Sequence, residues 1–345
     1  MSPAVRHTIA VLLLAYAPFV ACTLVDEDLS DCGTDYDLDY ELRLVTNMTT
    51  ELQTQLSLAA DITVSNAIKT YLSDVFTDYA HDVDLSFYDV EGDSLRLHHE
   101  AHVMDASQSS YTLYIPVRRY MHLALANLEA NSGIALAGSE RCHDARLVQQ
   151  VSDTVPTHKS GIFTARLPMD IKEGQDQQFD VRLYMANCAA ALVVDTLGSH
   201  IRDLKVYLDG FANDFDLCDS MYHFTRPTVV EADRLTLSEP GQICYASVNF
   251  PSREAEDTKT VIETTDPFVS EDASRSLWRI KAYATLADGK VTETILGLFK
   301  PLRPGALKVV RARAWDNGQV SPDDASVAVS VTLDWNPGLV IPIDF

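Results

Sequence analysis

Three short stretches gather residue types that could do chemistry. The first is His98-His99-Glu100-Ala101-His102. Side chains alternate faces along an extended strand, so His98, Glu100 and His102 would share one. Two imidazoles and a carboxylate form a ligand set that Zn²⁺ accepts. A straight strand spreads such ligands, however, and no fourth stands nearby in sequence, so a solvated polar face is the favoured reading. The second stretch is Asp214-Phe215-Asp216-Leu217-Cys218-Asp219, with Asp209-Gly210 just before it. Ca²⁺ takes six to eight oxygen ligands, but the spacing does not match the twelve-residue calcium loop and lacks its turn glycine. A polar surface loop is favoured here. The third is Asp35, Asp37, Asp39 and Glu41, whose like charges on one strand face repel. They suit a cation, a basic partner, or an edge kept soluble by charge, the last being favoured. No nucleotide-binding glycine loop, nucleophile elbow or His-Glu-x-x-His occurs in the chain. Nothing local assembles a nucleophile, a base and an orienting group. The expectation is a protein that is not an enzyme, with no metal, cofactor or small-molecule substrate.

The elements around these stretches read as strands. Tyr36, Leu38, Tyr40, Leu42 and Leu44 alternate with Asp35, Asp37, Asp39, Glu41 and Arg43, the period of a half-buried strand. Val64, Ile68, Tyr71, Leu72, Val75, Phe76 and Tyr79 fall at helical steps and predict one amphipathic helix. Further strands are expected at Val83–Val90, Ser94–Val103, Tyr111–Val117, Met121–Leu128 and Gly161–Pro168. A second group covers Phe179–Tyr184, Ala190–Val194, Leu204–Leu208 and Ile243–Phe250. A third covers Ser276–Leu286, Val291–Phe299, Ala306–Ala314 and Val327–Leu333. Asp288-Gly289 and Asn317-Gly318 are hairpin signals. The most polar break, Lys172–Gln178, predicts a domain boundary. The fold class expected is all-β with that one helix, as two β-sandwiches at 35–174 and 175–345.

Composition agrees. The chain has 345 residues, 46% of them apolar, enough for two cores. Fifty acidic against 27 basic residues give a net charge of −23. No basic surplus exists to neutralise phosphates, so no nucleic-acid partner is expected.

The N-terminus carries an address. Arg6 and His7 precede an apolar run from Ile9 to Ala21, shorter than the roughly 20 residues that span a bilayer. This is the pattern of a secretory signal peptide over residues 1–21. Phe19-Val20-Ala21-Cys22 resembles the lipobox of bacterial lipoproteins, with Phe19 where that motif usually has Leu. The resemblance implies covalent lipid on Cys22. Each buried CH₂ contributes about 0.8 kcal/mol, so two or three long chains hold firmly. Residues 22–34 then form a lipidated tether. Asp26-Glu27-Asp28 resembles the acidic tags that send some lipoproteins to the cell exterior, and reads equally well as a solvated linker.

With Cys22 assigned to lipid, Cys32, Cys142, Cys188, Cys218 and Cys244 remain. Export permits disulfides. The preferred pairs are Cys32 with Cys142 and Cys218 with Cys244, leaving Cys188 buried. The alternative is that several are free and packed as small hydrophobes, and spacing leaves the connectivity open.

Longer strings carry a family resemblance. Cys22 followed by Asp26–Gly33, then Tyr40-Glu41-Leu42-Arg43-Leu44-Val45-Thr46-Asn47, is similar to the start of the fimbrillin-associated anchor lipoproteins, the membrane-anchored subunits of type V pili. Tyr114–Asn127, Leu183–Ala191 and Val331–Gly338 extend the resemblance over nearly the whole mature chain. It implies two transthyretin-like β-sandwiches and an outer-membrane location through the lipid. It also implies a fimbrial stalk pilin as partner, joined by strand exchange. The rival expectation is a surface lipoprotein that binds a glycan or other ligand. Such proteins display aromatic platforms, and Trp278, Trp315 and Trp335 stand in strand-like contexts where core burial is expected.

Overall fold

The computed structural model describes residues 35–44, 66–68, 70–71, 82–101, 110–173, 177–237, 242–254, 276–323 and 327–335. The signal segment, Cys22, Cys32, Asp26–Asp28 and His102 lie outside them. The strands in chain order are β1 (Asp35–Leu44), β2 (Val83–Asp89), β3 (Arg96–Glu100), β4 (Ser110–Pro116), β5 (Arg119–Ala126), β6 (Ile134–Ala137), β7 (Arg146–Gln149) and β8 (Val155–Pro156). Then come β9 (Phe163–Asp170), β10 (Gln177–Met185), β11 (Cys188–Leu197), β12 (Ile201–Asp209), β13 (Asp214–Asp216), β14 (Met221–His223), β15 (Val229–Glu231) and β16 (Asp233–Leu235). The last are β17 (Ile243–Asn249), β18 (Trp278–Leu286), β19 (Val291–Leu298), β20 (Leu307–Ala314), β21 (Val320–Pro322) and β22 (Ala328–Trp335). The all-β expectation holds. Helical backbone appears at 66–68 and 70–71, inside the expected amphipathic helix.

Four sheets result. Seven strands in the order β3-β2-β5-β9-β10-β1-β4 form the first. Val83, Leu85, Phe87, Tyr120, Ala124, Phe163, Val181 and Leu183 pack together on one of its faces. Leu123 and Leu125 point the other way, onto Ile134, Leu147 and Phe215 of a four-stranded sheet, β14-β13-β7-β6. The alternation of β5 thus feeds two different cores.

The other two sheets make a sandwich. Five strands, β16-β17-β11-β20-β21, face six, β22-β19-β18-β12-β15-β8. Leu192, Val206, Leu208, Tyr245, Trp278, Ile280, Leu296 and Val310 fill the space between them. Strand β17 is buried along its whole length, because its second face is covered too. Ala191, Val193, Cys244, Ala246 and Val248 pack outward against Ile68 from the helical segment, which is 1% exposed. Burying an Ile that fully contributes about 1.5–3 kcal/mol. This explains why β11 reads as a continuous apolar run over Cys188–Val194.

The fold departs from the sequence pattern at three points. The polar break at 172–178 is not a boundary between sheets. It connects β9 to β10, which pair with each other, Tyr184 opposite Thr164 and Met185 opposite Phe163, within the seven-stranded sheet. The main passage to the sandwich comes between Met185 and Cys188, from β10 to β11, and residues on both sides of that point are woven together. The helical segment packs on the later sheet, β8 pairs parallel with β15, and β7 pairs with β13. Polarity marked a turn because an exposed hairpin connection is as polar as a linker. Second, the acidic strand β1 is not an edge. It lies between β10, to which it is parallel, and β4, to which it is antiparallel. Third, Trp315 is not a core residue. It is 53% exposed, whereas Trp278 is 1% exposed.

Candidate interaction site

The candidate site arises where one strand changes sheets. Strand β15 pairs with the end of β12, Tyr207 opposite Glu231 and Asp209 opposite Val229. One further backbone bond, Ala232 N–H to Val206 C=O at 3.0 Å, continues that edge. The chain then leaves for the other sheet, where β16 pairs with β17, Asp233 opposite Ala246 and Leu235 opposite Cys244. On its far side β12 pairs with β18 along its whole length, with a bulge between Ile201 and Asp203. On the near side, residues 201–205 have no strand partner among the described residues. An open stretch of sheet edge therefore faces the seam of the sandwich.

A cavity of about 320 Å³ lies there, lined by Pro156, Asp203–Val206, Glu231–Arg234 and Tyr245. The Tyr245 hydroxyl, from β17, donates to the Leu204 carbonyl and so spans the gap between sheets. Burial pushes that phenol up to about 12, which keeps it a neutral donor. A strand residue presents its N–H and C=O to the same side. Leu204 and Val206 therefore both turn their backbone groups to this side, where the Tyr245 hydroxyl takes the Leu204 carbonyl and the Ala232 N–H takes that of Val206. Leu204 is 3% exposed, while Asp203 and Lys205 are exposed. The rim carries both signs of charge, with Lys159 Nζ 2.8 Å from Asp233 Oδ2. A strand edge without a partner strand over 201–205, an apolar floor and a charged rim are the features to which an extended segment adds as a strand. Among the described residues a second open edge is β22, bonded on one side to β19, with Val331 opposite Thr294.

A polar hub holds the sandwich to the seven-stranded sheet. Asn187, which is buried, accepts from the Ile162 N–H at 2.5 Å and donates to His158 Nδ1 at 2.7 Å. His158 sits edge-on to Phe250 with centroids 5.0 Å apart, and its backbone N–H reaches the Val248 carbonyl at 2.9 Å. Burial lowers the imidazole to about 3, so it stays neutral. On the six-stranded sheet, Asp209 receives Arg279 Nε at 2.8 Å and Lys281 Nζ at 3.0 Å.

The sequence-selected residues fall elsewhere. His98 and Glu100 do share a face of β3, with Nε2 and Oε1 2.9 Å apart, but they serve each other on an edge strand. Asp216 Oδ1 accepts the backbone N–H groups of Cys218 and Asp219 at 2.9 and 3.0 Å. Asp214 accepts from the Thr225 hydroxyl at 3.3 Å, and Asp209 is held by its two cations. The acidic loop is thus organised by its own turn and by side-chain partners. Among the described residues no group of three or more His, Cys, Asp or Glu is placed to hold a metal ion. Among the cysteines, Cys188 is buried as expected. Cys218 does not stand with Cys244. Its Sγ lies 2.7 Å from Cys142 Sγ, and Cys244 packs in a separate cluster. The open β12 edge went unseen in sequence. The strand itself was legible, but the change of sheet at Ala232 has no local signal.

No family model and no curated protein matches the chain in sequence. Its fold does have relatives. A candidate adhesin from Bacteroides thetaiotaomicron matches with a TM-score of 0.50 at 8% identity, over 86% of this chain and 99% of that one. A candidate polysaccharide-binding protein from the same species gives 0.50 at 11% identity, over 84% and 96%. The fimbrial anchor protein Mfa2 from Porphyromonas gingivalis gives 0.48 at 9% identity, over 88% and 98%. At these identities the likeness is one of fold. No helix among the described residues is long and apolar enough to cross a membrane.

Proposed function

We propose that the chain is an outer-membrane lipoprotein that anchors a strand-exchange fimbria to the cell surface and limits its growth. The observation that carries this reading is the open edge of β12 beside its cavity, in a chain whose N-terminus resembles a lipidation signal. A strand from the stalk pilin would pair alongside residues 201–205, taking over the Leu204 carbonyl from Tyr245, while alternate side chains meet the Leu204 floor and the charged rim. Lipid on Cys22 would hold the other end at the membrane, so growth ends where the anchor sits. The adhesin-like fold relative supports a role at the cell surface. Neither step needs a catalytic group.

Two measurements test it. Replacing Cys22 by Ala should move the protein out of the membrane fraction and release fimbriae into the medium. Retention of both would end the lipid-anchor account. Photo-crosslinkers at Arg202 and Arg234, both exposed beside the opening, should capture the stalk subunit. Capture only along 327–333 would move the contact to the β22 edge.

A second reading is favoured by one observation. Trp315 is half exposed, and its Nε1 is tied to Ser321 Oγ at 3.1 Å, which fixes an aromatic face toward solvent. Such a face suits a sugar ring. Loss of glycan binding in Trp315→Ala, with fimbriae unchanged, would select this reading over the anchor.

A further inference from the structure

Two cysteines far apart in sequence meet in the four-stranded sheet. Cys142 opens a short 3-10 turn, Cys142–Asp144, that leads into β7, and it is 3% exposed. Cys218 lies in the turn after β13 and is partly exposed. Their Sγ atoms are 2.7 Å apart. That is closer than two unbonded sulfurs rest, and about 0.6 Å from the 2.05 Å of a disulfide bond.

The backbones on both sides are fixed. Asp216 pairs with Arg146 and Phe215 with Leu147. Leu217 N–H reaches the Ala145 carbonyl at 3.0 Å, and Cys142 N–H the Ser94 carbonyl at 2.9 Å. Asp216 Oδ1 holds the Cys218 N–H at 2.9 Å. The approach of the two sulfurs therefore follows from strand register rather than from a free loop end. The remaining described cysteines differ. Cys188 Sγ points to the Phe250 carbonyl at 3.4 Å, and Cys244 packs among Ala191, Val193 and Ala246. Both behave as small buried hydrophobes.

We infer that Cys142 and Cys218 form a disulfide in the mature protein. The inference rests on the export reading above for its oxidising compartment. The oxidant is a protein disulfide of the thiol-oxidoreductase class. The more exposed Cys218 attacks it as thiolate, forming a mixed disulfide and releasing one oxidant thiol. Cys142 loses its proton to solvent while the segment is still opening, attacks Cys218 Sγ and releases the second oxidant thiol. Two protein thiols are oxidised and one oxidant disulfide is reduced to a dithiol. Burial and the neighbouring thiol push the Cys142 thiol up in the folded, reduced state, so its attack belongs to the stage before the segment has packed.

The bond would join β7, from the first half of the sequence, to β13, from the second. It would thus staple the sheet in which the two halves of the chain meet. An anchor pulled by a filament would gain resistance to separation at that joint.

The test uses the full chain isolated from cell membranes, alkylated without reductant and digested. The expected result is a Cys142–Cys218 linked peptide, two hydrogens lighter than its separated thiols, that disappears on reduction. Alkylation of both residues would overturn the inference. The same spectrum reads the Cys22 peptide, so failure of the lipid anchor and failure of the disulfide are seen separately. Reductant should also lower the thermal midpoint of the native protein by about 5 °C or more. The Cys142→Ser, Cys218→Ser double variant should show no such shift. An equal response in both proteins would again overturn it.

Discussion

Two neutral histidines buried in the fold make its stability depend on pH in a defined way. His122 is 0% exposed, stacked 4.4 Å above Phe87 with Nδ1 at 3.1 Å from the Ser86 carbonyl. His158 is tied to Asn187 at the junction of the sheets. Burial lowers them from 6.5 to about 4 and about 3. In the unfolded chain both return to about 6.5. Below that value the unfolded state binds protons that the native state refuses, so stability is fullest above about pH 6.5 and falls as pH drops toward 4. Between pH 7.5 and 5.0 the unfolded imidazole gains about 1.5 pH units of protonation free energy, or about 2 kcal/mol per histidine and about 4 kcal/mol for the pair. Carboxylates also respond to acid, so the decisive quantity is a difference between proteins. Urea unfolding of the wild type and of a His122→Phe, His158→Asn variant, each at both pH values, isolates the imidazoles. The wild type should lose about 4 kcal/mol more than the variant. Equal losses would refute the assignment of these rings as neutral in the native state.

Other perturbations follow from the same geometry. Gly210→Ala should destabilise the fold by about 1–3 kcal/mol. Its φ is +91° and an added Cβ would lie 2.6 Å from the Leu277 carbonyl oxygen and 2.7 Å from Trp278 Cα. Gly289→Ala, at φ +87° with nothing within 4 Å, should cost only about 1–2 kcal/mol of backbone strain. Denaturation midpoints of the two variants check the contrast. Asp209→Ala would strand Lys281, whose side chain is 3% exposed, and should cost about 3–5 kcal/mol; adding Lys281→Met should recover part of the loss in the same assay. Trp278→Ala should cost about 3–5 kcal/mol in urea, because the ring is buried beside Phe211 and its Nε1 bonds the Lys300 carbonyl at 3.0 Å.

Much of the strand content was legible because it is local. The alternation of Asp35–Leu44 returns as β1, and the run at Ile243–Phe250 as β17. Asp288-Gly289 and Asn317-Gly318 turn their hairpins with glycines at φ +87° and +86°. At Gly318 a Cβ would also meet Thr292 Cβ at 2.7 Å, so two constraints agree on glycine there. Strands of two to four residues, such as β7, β13, β15 and β16, were missed. They are too short to show a period, and they exist because a partner strand is already in place.

The sequence by itself determined the all-β class, the main strands, the burial of Cys188 and the lack of any local catalytic motif. Each of these follows from alternation, composition or adjacency, which a single stretch of chain carries. Tertiary structure alone decided the rest. It placed β1 inside a sheet, moved the sheet boundary past β10, set Cys142 against Cys218, exposed Trp315 and opened the edge of β12. The physical reason is common to all five. Which backbone edge is paired, and which side chain finds a neighbour, depends on strands distant in sequence. β12 is open over 201–205 only because the chain leaves its side at Ala232 to pair with β17.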